Sequence, residues 1–286
     1  MADVPEEVRR LAEERAARRA ARDFPAADEL RDRIRALGYE AVDGPGGGYE
    51  LRPLPGATET SPHDFSVQWV AEGWPEDVAR GIAAFDRHHR GASIRHVIVD
   101  TAPAPDRTWP PTADVVSVGV EEGWAAARNA GLRRAAGRIV VVVDGSVEPE
   151  GDVLSPLSDA LRDPTVGVAG PFGVVTDDLR EFRESSGPEV DAIEGYLMAF
   201  RRDVVEVAGG FDRRFRFYRA ADIELSFRIR DTGLRAVVVD VPVRRHEHRA
   251  WTNTPPADRE RLSRRNFYRF LDRFRDRHDL CLSRRR

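Results

Sequence analysis

Two apolar runs in the sequence end in a carboxylate: HVIV runs into Asp100, and IVVVV runs into Asp144. An acid that closes a buried strand stands at the carboxyl edge of its sheet, where wound parallel sheets bind ligands. Further on, His246 and His248 straddle Glu247. Alternate residues of an extended segment point the same way, so both imidazoles can face one ion, with surface or packing roles as the alternative. Carboxylates and imidazoles hold divalent cations such as Mg2+ or Mn2+. A carboxylate beside a hydroxyl can also take its proton.

The residues around these acids dictate the elements that position them. Strands are expected at 65–70, 94–100, 115–120, 139–144, 166–169 and 236–239. Helical patterns lie between them, at 75–88, 124–136 and 154–162. Strands separated by helices imply right-handed βαβ units and an α/β, mostly parallel, Rossmann-like sheet. IVVVV has no polar alternation, as a central strand covered on both faces requires.

Composition narrows the class. The chain has 286 residues, with 45 basic side chains, all Arg, against 49 acidic ones, for a net charge of −4. That length buries a core without disulfides. A single Cys, Cys281, excludes a disulfide framework and Cys-based zinc or iron–sulfur centres. No apolar run approaches the ~20 residues of a membrane span. The start MADVPEEVRR does not read as a signal peptide, so a cytoplasmic protein is expected.

The two ends differ from the middle. Residues 1–52 read as two helices, entered through Asp3 and Pro5 and through Pro25, with a stop at Gly38 and a hairpin around Gly46-Gly47-Gly48. Residues 53–63 have linker composition, and 64–254 form the sheet domain. The tail, 255–286, begins at Pro255-Pro256 and continues as an amphipathic helix from about Asp258 to His278. From Arg249 onward there are 12 Arg against 5 acids. Packing on the sheet domain and peripheral contact with an anionic membrane surface are both open to such a helix.

The segment EEGWAAARNAGLRRAAGRIVVVVDGSVEP, 121–149, resembles family 2 glycosyltransferases of the GT-A fold, of the rhamnosyltransferase-like kind. So does IEGYLMAFRRDVVEVAGGFDRRFRFYRAADIELSFRIRDTGLRAVVVD, 193–240, with its G-G-F-D turn and acidic helix start. With VIVD at 97–100 and the two histidines, the resemblance covers about 64–275. It implies an inverting enzyme that moves a sugar from a nucleotide-diphosphate donor to a hydroxyl acceptor, with Mg2+ or Mn2+. Asp222 would be the catalytic base, with a helix cap as its alternative. Asp100, Arg128, Asp144 and Ser146 would bind the donor, and Glu194 and Gly195 the acceptor. Asp144, His246 and His248 would hold the metal. Ser146 stands where the family has the last acid of D-x-D, and Ala221 where it has the glutamate before the base. Trp69, Glu72 and Trp74 fall at the family's nucleotide loop, but VAEGW departs from that loop's pattern.

The start, EERAARRAARDFPAADELRDRIRALGYEAVDGPGGGYELRP, resembles the C-terminal segment of cysteinyl-tRNA synthetase and a hairpin that excision-repair proteins use for protein contact. Phe24, Ala27, Leu30 and Ile34 would seal its two helices. The near-neutral 1–40 stretch favours a protein partner over tRNA. Two further readings stay open: a decayed nucleotide- or sugar-binding or scaffold protein, given Ser146 and Ala221, and an RNA-associated factor acting through 1–52.

Overall fold

Alternate residues of IVVVV feed two different cores. Ile139, Val141 and Val143 join one apolar cluster with Val67, Trp69, Phe85 and Leu157. Val140 and Val142 join another with Phe200, Phe211 and Leu225. A strand buried on both faces has no reason to alternate with polar residues. The computed structural model describes residues 6–21, 23–36, 39–44, 48–53, 63–104 and 106–284, and the chain divides into two units, 1–61 and 62–286.

In the first unit, α1 (Glu6–Ala20) and α2 (Phe24–Ala36) precede a hairpin of β1 (Tyr39–Asp43) and β2 (Tyr49–Pro53). Val8, Leu11, Ala12, Leu30, Ile34, Tyr39 and Ala41 form its core. Arg15 reaches from α1 to Asp43 with both Nη atoms, at 2.8 and 3.0 Å. Ala27, Leu30 and Ile34 are buried as expected, but Phe24 is 53% exposed. It is the first residue of α2, ahead of the turn that packs on α1. Asp3, Pro5, the Gly38 stop, Gly46-Gly47 and most of the 53–63 stretch lie outside the described residues.

The second unit opens with β3 (Phe65–Ala71), α3 (Pro75–His88), β4 (Ile94–Asp100), β5 (Asp114–Ser117), α4 (Trp124–Arg134) and β6 (Ile139–Val143). Then come β7 (Val147–Pro149), α5 (Leu154–Leu161), β8 (Val166–Gly170), β9 (Gly173–Thr176), β10 (Phe182–Ser185), β11 (Glu189–Val190), β12 (Ala192–Ile193) and β13 (Leu197–Arg201). The chain continues through α6 (Arg202–Ala208), α7 (Ala221–Asp231), β14 (Arg235–Val238), β15 (Val243–Arg245), α8 (Arg249–Asn253) and α9 (Pro256–Phe274). The main sheet has the order β11-β14-β8-β13-β6-β3-β4-β5. All of its strands run one way except β11 and β13, so the mostly parallel α/β sheet read from the sequence is the one present. The strand expected at 115–120 ends at Ser117, because residues 120–122 turn into a short 3-10 helix.

Two contacts explain motifs noted in the sequence. Asn129, on α4, brackets Phe211: its amide donates to the Phe211 carbonyl at 2.7 Å, and its Oδ1 accepts the Phe211 N–H at 2.8 Å. Helix α4 is thus tied to the G-G-F-D turn. The apolar stripe of α9 covers Phe227 with Phe270 and Phe274, rings 5.1 and 5.4 Å away. Among the described residues no helix is long and apolar enough to cross a membrane.

Candidate active site

Register assembles the site. Strand β13 runs antiparallel to β6 with Leu197 opposite Val143, so the residues just before Leu197 face those just after Val143. The Tyr196 carbonyl accepts the Asp144 N–H at 2.9 Å. Glu194, Gly195 and Tyr196 therefore share one rim with Asp144 at the carboxyl end of β6. Helix α7 brings a second carboxylate to this rim. Its N-cap, Ala220, sits at φ 63. Such a left-handed non-glycine residue costs about 1–3 kcal/mol and marks a position held by function or by surrounding packing. The turn directs Asp222 toward the rim, where Oδ2 accepts the Gly195 N–H at 2.7 Å and Oδ1 the Ile223 N–H at 2.9 Å. A Cβ at position 195 would come within 3.2 Å of the Asp222 Cβ, so glycine is what permits this approach.

The rim opens into a cleft of about 1050 Å³ lined by Asp144, Glu194, Gly195, Asp222 and His248, among others. Asp144 Oδ1 accepts the Ser146 N–H at 2.8 Å and its hydroxyl at 2.5 Å, and Oδ2 lies 3.4 Å from His248 Nε2. Burial alone would raise the Asp144 pKa, but His248, Ser146 and Arg128 outweigh it and hold the carboxyl at about 2. Burial would lower the pKa of His248, yet Asp144 and Glu72 carry it above its ordinary value. The Tyr218 ring stacks on this imidazole at 4.4 Å.

Two further acids, Glu194 and Asp222, line the same cleft. Burial and the neighbouring Asp222 charge push Glu194 up to about 7, against the pull of Arg245 and Arg219. Asp222 is raised as well, mainly by burial, although Gly195, Ile223 and Arg219 favour its charged form. Arg245 lies over the Tyr196 ring at 4.1 Å. Neither Arg219 nor Arg245 has a carboxylate within ion-pair distance among the described residues.

Four of the residues singled out in the sequence are engaged differently. Asp100, 2% exposed, takes Arg107 Nη1 on both oxygens at 2.7 and 2.9 Å and Trp109 Nε1 at 3.2 Å. It does not line the cleft. Arg128, 1% exposed, spends Nη1 on Gln68 Oε1 at 2.9 Å and on the Val143 carbonyl at 3.0 Å, bracing α4 against the sheet. Ser146 is buried and bonded to Asp144. His246 parts from His248 and meets Glu148 at 2.8 Å, because the β7–β15 pairing carries it toward Arg80 and Arg87, the other partners of that acid.

Several cleft residues carried no signal of their own in the sequence: Tyr196, Tyr218, Arg219, Arg245 and Trp251. Tyr196 and Arg245 adjoin residues that did, Gly195 and His246. Glu72 is the other notable neighbour. Burial and the Asp144 charge push its carboxyl up to about 7, against Arg128 and His248. Above pH 7 the folded chain bears a poorly solvated charge there, whereas below the ordinary 4.5 the residue is neutral folded or unfolded. Glu72→Gln is therefore expected to raise the unfolding free energy by about 2 kcal/mol at pH 8 and to change little at pH 4. Urea unfolding at the two pH values checks this, and an equal gain at both would contradict it.

Comparison with known proteins bears on the fold. Residues 87–225 match the family model described as glycosyl transferase family 2. No curated protein matches the sequence significantly. Among solved structures, that of GalNAc-T7 with UDP, GalNAc and Mn2+ is similar with a TM-score of 0.61 at 17% identity, over 77% of this chain and 50% of that one. The chain thus spans about half the length of that relative. The mannosyltransferase PcManGT from Pyrobaculum calidifontis, in complex with GDP-Man and Mn2+, is similar with a TM-score of 0.50 at 23% identity, over 84% of this chain and 71% of that one. The mixed α/β sheet, with its matched segment ending in α7, is the GT-A glycosyltransferase fold.

Proposed function

We propose that the protein is an inverting glycosyltransferase that moves a sugar from a nucleotide-diphosphate donor to a hydroxyl acceptor. The observation that carries this reading is one cleft that is lined both by Asp144 with His248 and by Asp222 with Glu194. A one-step displacement needs these two poles: positive charge where the diphosphate departs, and a base on the opposite face of the sugar.

In this reading the acceptor hydroxyl lies against Asp222. As its oxygen bonds to the anomeric carbon, the bond from that carbon to the diphosphate oxygen breaks, and the electron pair leaves with the phosphate. The hydroxyl proton passes to Asp222. The backbone N–H groups of Gly195 and Ile223 fix the carboxylate in place, so its orientation costs nothing at the moment of transfer. His248, Arg219 and Arg245 supply positive charge along the cleft.

The donor set of Asp144, His248 and the Ser146 hydroxyl suits a divalent cation by chemistry: one carboxylate, with an imidazole beside one of its oxygens and a neutral hydroxyl beside the other. Such an ion would neutralise the departing diphosphate. Among the described residues no three acids or histidines cluster as a metal site, so the phosphates themselves would complete the shell.

A second reading keeps the donor site and drops the chemistry. It is favoured by Ser146 and Ala221, which stand at family acid positions. The two readings separate in one experiment. The full chain with Mn2+ is incubated with GDP-, UDP- and dTDP-sugars, and nucleoside diphosphate release is followed. Release from at least one donor is the expected result. Binding of a nucleotide without any release supports the non-catalytic protein instead.

We take the N-terminal unit as a docking module for a protein partner, supported by Phe24 standing exposed at the start of α2.

A further inference from the structure

Beside the main cleft lies a smaller pocket of about 260 Å³, lined by Glu72, Trp74, Trp124, Phe217 and Tyr218, among others. It shares Trp124 and Tyr218 with the cleft, so the two adjoin at those rings. Four aromatic side chains in so small a space form a slot for a flat ring. The floor of that slot is unusual. The Glu72 carboxylate accepts no hydrogen bond and makes no ion pair among the described residues, although it is half-buried. Arg216 lines the same pocket, but its guanidinium donates to the Glu121 carbonyl. A partly desolvated acceptor without donors costs free energy that a ligand bearing N–H groups recovers.

Resting on the glycosyltransferase reading above, we infer that this pocket takes the base of the donor and that Glu72 selects guanine. The location follows from the fold: Glu72 directly succeeds β3, at the same carboxyl edge as Asp144, whose charge it feels. A base seated here leaves the diphosphate beside Asp144 and His248 and the sugar toward Asp222. Asp100, at the next strand end, is closed to this role. Arg107, Trp109 and the Ala102 N–H already occupy both of its oxygens.

The choice of base follows from hydrogen-bond inventory. Guanine presents two adjacent donors, N1–H and the exocyclic N2–H, which match the two oxygens of a carboxylate. Uracil and thymine present one N–H between two carbonyl oxygens, so a carboxylate gains one bond and meets a lone pair with its second oxygen. Adenine sets its amino group beside a ring nitrogen that is itself an acceptor. A two-point pairing of this kind discriminates by about 1–3 kcal/mol, which is roughly 10- to 100-fold in affinity.

Calorimetry on the full chain in Mn2+ buffer at pH 8, where the Glu72 carboxyl is mostly charged, with GDP, UDP, dTDP and ADP, tests the assignment. GDP is expected to bind at least about 10-fold tighter than the other three. Glu72→Gln, which keeps the shape but exchanges one acceptor for a donor, is expected to bring GDP within about threefold of UDP while UDP binding persists. The persisting UDP binding shows that the variant is folded. UDP or dTDP binding as tightly as GDP to the unaltered chain overturns guanine selection and leaves the glycosyltransferase reading intact. A GDP preference that survives Glu72→Gln overturns the role of Glu72. No binding by any of the four overturns both this inference and the reading it rests on.

Discussion

Asp222→Asn is expected to slow sugar transfer by a factor of about 10² to 10⁴, the range a positioned general base contributes. Nucleoside diphosphate affinity should stay within a fewfold, because the donor's phosphates are assigned to the Asp144 side of the cleft. Both oxygens of Asp222 accept backbone N–H groups, at 2.7 and 2.9 Å. An asparagine can satisfy only one of them, so about 1 kcal/mol of stability goes with the change. Activity must therefore be compared on folded protein, by initial rates together with calorimetry. Glu194 is the natural competitor for the role, since its carboxyl titrates at about 7 in the same cleft. A full loss in Glu194→Gln alongside near-normal rates in Asp222→Asn would transfer the base to Glu194. Equal rates in both variants and the unaltered chain would remove the proposed chemistry altogether.

The parts of this protein legible in its sequence are those that one local pattern settles. An apolar run such as IVVVV, or a helix with Val78, Ile82 and Phe85 on one face, announces its element and its buried side without help. The parallel order follows from alternation of the two. The acids at strand ends were visible for the same reason, but their engagement was not. Asp100 and Asp144 look alike in sequence, each closing a β-branched run. One is covered by Arg107 and Trp109 from the loop that follows it, whereas the other opens on the cleft with His248 from more than a hundred residues away. Loop closure of that kind depends on side-chain reach, which no periodicity encodes. The H-x-H reading failed to account for pairing in a similar way. Alternation holds along a continuous strand, but β15 ends at Arg245, so His246 stays with Glu148 while His248 begins the turn into α8. Glu72 is the opposite case. Its residue type was in plain view, and only the aromatic rings gathered from α4, the segment before α7 and the loop before α3 give it meaning.

Arg230→Ala is expected to cost about 3–5 kcal/mol of folding free energy, the range for removing one partner of a buried charged network. The guanidinium is fully buried on α7. It donates from Nη2 and Nε to the Leu280 carbonyl at 2.7 and 3.2 Å and from Nη1 to the Val190 carbonyl at 2.8 Å, with Asp191 3.6 Å away. Asp191 in turn accepts the Thr176 N–H at 2.7 Å and the Leu282 N–H at 2.8 Å. Together the pair fastens the turn after α9 to the edge of the sheet, and α9 supplies a wall of the cleft through Ser263, Phe267 and Phe270. Truncation leaves three carbonyl bonds unmade and Asp191 buried without its cation, so the penalty should exceed that of a simple cavity. Adding Asp191→Asn removes the stranded charge while keeping an acceptor for one N–H. The double variant is therefore expected to recover about 1–2 kcal/mol relative to Arg230→Ala alone, a coupling that a cavity effect would not produce. Urea unfolding of Arg230→Ala, Asp191→Asn and the double variant measures this, and amide exchange at 278–284 should quicken in Arg230→Ala before the rest of the sheet does. A loss below about 1 kcal/mol, or exchange at 278–284 unchanged from the unaltered chain, would mean that the tail is held by its apolar contacts and that the buried pair contributes little.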